Sequence, residues 1–176
     1  VGDRARLLVG DMRVLPENLL DDVDAVVNVG GLSNDPTAEY NPTANYEMNT
    51  QAATALARSC IERGVRRYVF ASSCSVYDRG VGDDDLDLIQ DEAQEVTPRA
   101  AYSSSKWEAE KQLLDLAEKH ESFCPVILRK GTIYGFSPRM RYDLVVNTFV
   151  KDALQHGRLT LRYGGEMWRP LVDVHD

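Results

Sequence analysis

Segments with strand character and segments with helix character alternate along nearly the whole chain, and this alternation restricts the possible folds more than any other feature. The expected strands are short runs rich in Val, Ile and Leu, and they lie at 6–9, 25–29, 65–73, 124–134 and 159–161. The expected helices lie between them, at 16–22, 45–63, 101–120 and 144–156. Apolar strands that are separated by helices form parallel sheets with helices packed on both faces. We therefore expect an α/β fold that is built on a doubly wound parallel sheet.

The composition fits one globular domain. Hydrophobic residues make up 43% of the 176 residues and charged residues 27%, which provides enough apolar side chains for a core. The net charge of −8, without a block of Lys or Arg, argues against nucleic acid or an anionic membrane as a partner. No apolar run approaches the roughly 20 residues that span a bilayer, and no secretory leader is visible, so we expect a cytoplasmic protein.

Cysteine, histidine and acidic residues give no indication of a disulfide or a metal site. Cys60, Cys74 and Cys124 are odd in number and lack C-x-x-C spacing, so we expect reduced thiols. The three histidines are far apart in the sequence, and the acidic residues at 83–92 lack the glycine of a calcium loop. We expect no bound metal and a solvated acidic loop.

Small or polar residues follow the expected strands at the places where a parallel sheet binds ligands, beyond the carboxyl ends of its strands. They are Gly10-Asp11, Val29-Gly30-Gly31, Ser72-Ser73 and Gly131-Thr132. We therefore expect a ligand crevice along this edge of the sheet.

Tyr102 and Lys106 carry the clearest indication of chemistry. Positions four apart on a helix lie on one face, so the phenol and the ammonium group can point into the same cleft. A nearby cation lowers the pKa of a phenol from its ordinary value of about 10, which allows proton exchange with a substrate hydroxyl. A nicotinamide cofactor would accept or return the hydride. The alternative is an ordinary pair on an exposed helix face.

Ser72 and Ser73 end the strand that precedes this helix, so we expect them at the same edge of the sheet as Tyr102. A serine hydroxyl at this place can hydrogen-bond the reacting oxygen and hold it against the phenol. The alternative is that both serines only satisfy backbone groups at the strand end.

Residues 71–77, Ala-Ser-Ser-Cys-Ser-Val-Tyr, followed by Tyr102-x-x-x-Lys106, resemble the extended short-chain dehydrogenase/reductase family, the NAD-dependent sugar-nucleotide epimerases and dehydratases. The resemblance runs from about residue 6 to the end of the chain. It implies a Rossmann-like NAD(P)-binding domain at 1–140, without its first two strands, and the start of a substrate-binding region at 141–176.

The resemblance assigns roles to three residues. Ser73 would orient the reacting hydroxyl, with Ser72 as the alternative. Tyr102 would be the acid/base. Lys106 would bind the cofactor ribose and lower the pKa of the tyrosine.

The resemblance also implies contacts to cofactor and substrate. The cofactor is expected to be NAD, with NADP left open, and its expected contacts are Asp11, Met12, Val29, Gly30, Gly31, Asn49, Ser72, Tyr102, Lys106, Lys130 and Ile133. The substrate is expected to be a nucleotide sugar that contacts Ser33, Ser75, Thr132, Asn147, Arg139 and Arg169. Arg139 and its neighbour Arg141 lie in a loop that is expected to overhang the crevice, where they either bind a phosphate or stay exposed.

Departures from the family pattern narrow the expected function. No G-x-x-G-x-x-G turn occurs in the sequence, so the chain is expected to be an internal fragment without this phosphate-binding loop and without the C-terminal substrate lobe. Cys74 and Ser75 stand where the family's dehydratases carry an Asp-Glu pair, which disfavours elimination. Epimerisation through a transient ketone is the expected reaction, and a simple interconversion of ketone and alcohol is the alternative. Thr132 and Lys130 replace residues that usually lie beside substrate and nicotinamide, which leaves the sugar open.

Two expectations concern other roles of the protein. A relative that binds the dinucleotide only as a sensor or scaffold would have lost Tyr102 or Lys106, and both are present. The helices at 45–63 and 101–120 resemble those that pair family members, so we expect a homodimer.

Overall fold

The computed structural model describes residues 5–77, 89–161, 163–165 and 169–176. Within these residues the chain runs through β1 (Ala25–Asn28), α1 (Asp35–Tyr40), α2 (Pro42–Tyr46), α3 (Ala52–Glu62), β2 (Arg67–Ser73), α4 (Ala101–Lys119), β3 (Cys124–Lys130), β4 (Thr132–Tyr134), α5 (Val145–His156) and β5 (Leu171–Asp173). Strands β1, β2 and β3 form a parallel sheet in that order, and β4 and β5 form a smaller parallel sheet. The predicted α/β architecture with parallel strands is confirmed.

One face of the larger sheet carries the core. Side chains alternate between the two faces of a strand, and β2 sends Tyr68 and Phe70 to the face where both are fully buried. Apolar residues of α3 and α4 pack over them, among them Ala53, Ala57 and Leu113. These contacts fix α4 against the strand whose end carries the predicted serines.

The opposite face of the sheet is exposed in the described part of the chain. Val27, Val126 and Leu128 project from it and keep 64%, 51% and 44% of their surface accessible. The described helices therefore cover one face of the sheet.

The first two predicted elements do not form. Leu7 and Val9 are 74% and 93% exposed, and no described strand runs beside residues 6–9 to complete a hydrogen-bonded ladder. Residues 16–22 form successive tight turns instead of a helix, in which the amides of Leu19 and Asp21 each bond a carbonyl three residues back, as Leu19 does to Pro16 at 3.0 Å. Asp22, with φ of +59°, ends this segment in the left-handed region.

The strand that was predicted at 124–134 is divided at Gly131. A Cβ at this position would lie 2.8 Å from the carbonyl oxygen of Pro170, so only a glycine lets the segment before β5 approach. As a result β3 pairs with β2, whereas β4 pairs with β5, a strand that the sequence did not predict. Residues 159–161 form no strand.

The helix that was predicted at 45–63 begins earlier, at Pro42, where the Asn41 side chain caps it by accepting from the amide of Ala44 at 3.0 Å. Residues 47–51 form a π-helical turn between α2 and α3. The buried side of α3 carries Ala53 and Ala57, whereas Ala55 is exposed.

The cysteines, the acidic loop and the lengths of the helices can also be compared with the sequence predictions. Cys60, Cys74 and Cys124 are free thiols, as predicted. The expected acidic loop falls mostly on residues 78–88, which lie outside the described part of the chain. Among the described helices, none combines the length and the apolar character that crossing a membrane requires.

Candidate active site

The end of β2 and the first turn of α4 bring the predicted serine and tyrosine together. Ser103 caps α4, because its hydroxyl accepts from the amide of Ala100 at 3.2 Å. This cap places Tyr102 in the first turn, where its phenol is close enough to the Ser73 side chain for the hydroxyl to lower its pKa. The Ser75 hydroxyl donates to the Ser73 hydroxyl oxygen at 2.9 Å. Ser73, Ser75 and Tyr102 therefore form one half-buried group of hydroxyls.

Ser72 points away from this group. Its side chain is 3% exposed and its hydroxyl donates to the carboxylate of Glu110. Neighbouring residues of a strand face opposite sides, so Ser72 and Ser73 cannot both meet the tyrosine. Of the two serines, Ser73 has the hydroxyl beside Tyr102, and the contact to cofactor that was expected of Ser72 is not available to its hydroxyl.

Lys106 lies one turn after Tyr102 and is buried, with 4% of its surface exposed. Its Nζ donates to the carbonyl oxygen of Ala71 at 3.1 Å and lies 4.7 Å from the centre of the Phe70 ring. Burial, together with the nearby charge of Lys130, lowers the pKa of Lys106 to about 8. Lys106 therefore lies close to its protonation equilibrium near neutral pH.

The pKa of Tyr102 moves in the direction opposite to the prediction. Burial of the phenol raises its pKa, and the groups that oppose this shift are the hydrogen bond with Ser73 and the charge of Arg141. Lys106 is not among the described groups that shift this pKa, and its role in lowering the pKa of Tyr102 stays a prediction. The Lys106 ammonium is instead held at the carbonyl of Ala71, on the strand.

The turn after β1 is fixed by Asn49, which lies in the π-helical turn and is fully buried. The Asn49 Oδ1 accepts from the amide of Leu32 at 2.9 Å, and its Nδ2 donates to the Leu32 carbonyl at 3.0 Å and to the Ser105 hydroxyl at 3.1 Å. A Cβ on Gly31, whose φ is +130°, would lie 2.2 Å from the Asn49 Oδ1. Asn49 therefore connects the turn to α4, and its amide is used within the protein.

Residues 10–13 lie beside this turn. A Cβ on Gly30 would lie 3.1 Å from the Met12 sulfur, so the Met12 side chain rests on the glycine. The Asp11 carboxylate accepts from the Arg13 guanidinium at 2.7 Å, which lowers the pKa of Asp11 to about 2. Val29 is 73% exposed at the end of β1. The structure thus groups Asp11, Met12, Val29 and Gly30 at one edge of the sheet.

Lys130 ends β3 directly opposite Ser73 in the ladder, so the two side chains face the same side of the sheet. Burial lowers the pKa of Lys130. Beyond it, the Thr132 amide donates to the carbonyl of Pro170 at 2.8 Å, and Ile133 is 36% exposed. These residues continue the crevice along the strand ends.

Arg169 lies close to Cys74 of the serine segment. Burial raises the pKa of the Cys74 thiol, and the positive charge of Arg169 opposes this shift, so Arg169 lies near Cys74. The predicted substrate contact Arg169 therefore reaches the same end of β2 as Ser75.

Asn147 holds the loop between β4 and α5. It is 7% exposed, its Oδ1 accepts from the Gly135 amide at 3.2 Å, and its Nδ2 donates to the Arg141 carbonyl at 2.9 Å. Both ends of the amide are therefore used within the protein, although a substrate contact was expected. The Arg141 guanidinium donates to the Ser33 hydroxyl at 3.2 Å and forms an ion pair with Asp143 at 2.6 Å.

The site differs from the prediction in its arginines and in one acid. Arg141, and not Arg139, donates a hydrogen bond to Ser33, and its charge lowers the pKa of Tyr102. Arg139 is exposed on the loop. Glu110, which the sequence reasoning missed, is 1% exposed and lies one turn beyond Lys106. The pattern that could have found it is the four-residue spacing of Tyr102, Lys106 and Glu110 along α4.

The described part of the crevice fits the nicotinamide half of a dinucleotide. Lys106 carries three N–H donors and makes one hydrogen bond with the described residues, which leaves donors for the hydroxyls of a ribose. Gly30 and Gly31 carry no side chain that would keep a ligand away from the backbone. The Ser73 and Tyr102 hydroxyls can receive a polar oxygen of a substrate.

A family model described as NAD dependent epimerase/dehydratase family matches residues 6–176. The chain belongs to this family. The resemblance that was inferred from the serine segment and from Tyr102 and Lys106 is confirmed.

The chain is similar to proteins whose names refer to UDP-sugars. It is 28% identical over 176 residues to YtcB of Bacillus subtilis (strain 168), which is named as an uncharacterized UDP-glucose epimerase. The aligned region covers 98% of this chain and 51% of YtcB. It is 38% identical over 98 residues to UDP-glucose 4-epimerase of Vibrio cholerae, covering 55% of this chain and 29% of that enzyme. The structure of MoeE5 in complex with UDP-glucuronic acid and NAD matches with a TM-score of 0.82 at 25% identity, covering 96% of this chain and 54% of MoeE5. The chain thus spans about half the length of YtcB and of MoeE5.

Proposed function

We propose that the protein containing this chain is an NAD-dependent enzyme that oxidises and re-reduces a hydroxyl carbon of a nucleotide sugar, with epimerisation through a transient ketone as the net reaction. The observation that carries the proposal is the convergence of the Ser73 side chain and the Tyr102 phenol at the end of β2, with Lys106 one helical turn away on α4. Family membership and the names of the relatives support the substrate class.

In this reaction Tyr102 takes the proton of the substrate hydroxyl and later returns it. Ser73 holds the reacting oxygen against the phenol, which is a positioning role. Since burial raises the pKa of Tyr102, the phenol needs positive charge nearby when it gives up its own proton, and Arg141 supplies part of it. The hydride chemistry at the sugar carbon would be supplied by NAD bound in this crevice.

Lys106 and the turn after β1 would hold the cofactor. Lys106 makes one hydrogen bond with the described residues, so its other N–H groups would donate to the nicotinamide ribose. Gly30 and Gly31 would let the dinucleotide backbone come close to the turn. Asp11 and Met12, beside Gly30, would contact the adenosine half. NAD is the proposed cofactor, and NADP is the alternative.

Dehydration is disfavoured by the residues that follow Ser73. Burial raises the pKa of the Cys74 thiol, so it stays protonated near neutral pH and is a poor base. The Ser75 hydroxyl is engaged with Ser73 at 2.9 Å. Neither side chain replaces a carboxylate that could remove a carbon-bound proton.

The test is to incubate the full-length protein with NAD and a panel of nucleotide sugars in D2O and to follow the products by NMR. Return of the same hydride predicts an inverted hydroxyl carbon without solvent deuterium and without net NADH. A dehydratase would instead release water and place deuterium on carbon. A simple reductase or dehydrogenase would change NAD(H) in proportion to product, and either of these outcomes contradicts epimerisation.

A further inference from the structure

Glu110 lies at the point where α4, β2 and β3 meet. It is 1% exposed on α4, four residues after Lys106 and eight after Tyr102, so the three side chains follow one face of the helix. Its carboxylate accepts from the Ser72 hydroxyl, and Ser72 is the neighbour of Ser73 on β2.

The same carboxylate binds β3 through Arg129. The Arg129 Nε and Nη2 donate to one Glu110 oxygen at 2.9 and 2.7 Å. Arg129 is opposite Ser72 in the ladder and directly precedes Lys130. One buried acid thus joins the helix of Tyr102 and Lys106 to the ends of the two strands that carry Ser73 and Lys130.

Arg129 is itself held from several sides. Its Nη1 donates to the Tyr77 hydroxyl at 2.8 Å, and its guanidinium lies 5.1 Å from the centre of the Tyr77 ring and 5.5 Å from that of Trp107. This ion pair favours a single geometry, because moving Arg129 away would leave the buried carboxylate of Glu110 without its charged partner.

Glu110 also sets the charge around Lys106. Within the part of the chain that the structure describes, two charged groups act on that ammonium: Lys130 from β3 disfavours its protonated form, and Glu110 from α4 favours it. The Lys106 ammonium also contacts the Ala71 carbonyl and the Phe70 ring of β2, and it lies beside Gly31 in the turn after β1. Removing the Glu110 charge would leave Lys130 unopposed.

We propose that Glu110 is a positioning residue of the Tyr102 and Lys106 site: it fixes α4 against the ends of β2 and β3 and offsets the charge of Lys130 at Lys106. This role deepens the proposed function and rests on it for the catalytic readout. The positioning part predicts a loss of kcat, and the electrostatic part predicts a change in the titration of Lys106.

Three variants of the full-length protein separate these parts. Glu110→Gln keeps the shape and removes the charge, Glu110→Asp keeps the charge and shortens the side chain, and Lys130→Met removes the opposing charge. NMR titration of the Lys106 side chain reads its pKa without substrate, so it is independent of the proposed reaction. The kcat measured with the nucleotide sugar that the full-length protein accepts tests whether Glu110 positions Tyr102 and Lys106.

We expect Glu110→Gln to move the Lys106 titration below its wild-type position near pH 8 and Lys130→Met to move it above. Glu110→Asp is expected to leave the titration in place and to lower kcat about tenfold or more with little change in KM, because small displacements of catalytic groups are costly. An unchanged Lys106 titration in folded Glu110→Gln would overturn the electrostatic role. If Glu110→Gln does not fold, Glu110→Asp decides: full kcat in that variant overturns the positioning role.

Discussion

The Ser73 side chain at the end of β2 lies beside the Tyr102 phenol in the first turn of α4 and opposes the rise of its pKa. This contact joins residues from two elements that the core packing of Phe70 and Leu113 holds together. The geometry of the proposed chemistry is thus set by the same helix-to-sheet packing that stabilises the fold.

Ser73→Ala removes the hydroxyl that would hold the reacting oxygen. We expect kcat to fall about 100-fold, the usual effect of losing one oriented hydrogen-bond donor at a reacting oxygen. Ser75→Ala is the matched control, since it removes only a hydroxyl that donates to Ser73, and its effect should be smaller and mainly on KM. Steady-state kinetics of both variants provide the measurement, and equal losses of kcat would argue against a special role for Ser73.

Lys106→Met tests the buried ammonium through stability. Because the pKa of Lys106 falls from 10.5 to about 8 in the folded state, the folded protein binds fewer protons than the unfolded chain between these pH values. The free energy of unfolding should therefore rise with pH across this window in the wild type. The pKa shift lowers the free energy of unfolding of the wild type by about 3 kcal/mol at pH 7, and removing Lys106 relieves this cost. Loss of the hydrogen bond to Ala71 in the variant offsets about 1 kcal/mol of that gain.

Lys106→Met is thus expected to be about 2 kcal/mol more stable than the wild type at pH 7, with a weaker rise above pH 8, while losing activity. Urea denaturation at pH 7 and pH 10 measures this. Lys111→Met is the control, because Lys111 is half-exposed on the same helix. A stability loss in Lys106→Met at pH 7, with the pH slope retained, would show that the ammonium is not penalised by burial.

Local patterns account for the parts of the fold and the site that the sequence predicted. Strand β2, helix α4 and the pairing of Ser73 with Tyr102 follow from periodicity and from the rule that parallel strands end at one edge. The strand predicted at 6–9 failed because a ladder needs a neighbour, which periodicity does not reveal. Strand β5 was missed because it depends on distant pairing with β4.

Electrostatic details were the least predictable. The raised pKa of Tyr102 depends on how deeply the phenol is buried, and helical spacing does not report burial. The contact of Arg141 with Ser33 joins residues 108 positions apart. The amides of Asn49 and Asn147 were expected to meet ligands, yet both bond backbone groups of neighbouring loops.

Asn49→Ala should loosen the turn after β1. Its side chain makes hydrogen bonds to Leu32 and Ser105, so we expect a loss of about 3 kcal/mol in the free energy of unfolding. We also expect NAD affinity to fall about tenfold, since Gly31 lies against this amide. Thr54→Ala, which removes one bond between α3 and α4 at Gln112, is the control and should keep NAD affinity. Calorimetry on both proteins measures this, and equal affinities would remove Asn49 from cofactor binding.

The homodimer through helices 45–63 and 101–120 stays a prediction. Leu114 is 46% exposed on α4 and would be covered by a partner helix. Leu114→Glu should then convert a dimer of the full-length protein into a monomer, as read by light scattering after size-exclusion chromatography. Lys119→Glu, near the end of the same helix, serves as the charge control. A dimer that survives Leu114→Glu would place the interface elsewhere.

Tyr102→Phe in the full-length protein tests the central claim most directly, because it removes one oxygen and keeps the ring. Turnover of the nucleotide sugar would be measured together with NAD affinity. We expect a fall in kcat of about 1,000-fold, within the usual range for losing a general acid/base, while NAD still binds. Turnover within a few-fold of the wild type, with NAD bound, would mean that proton transfer does not pass through this phenol.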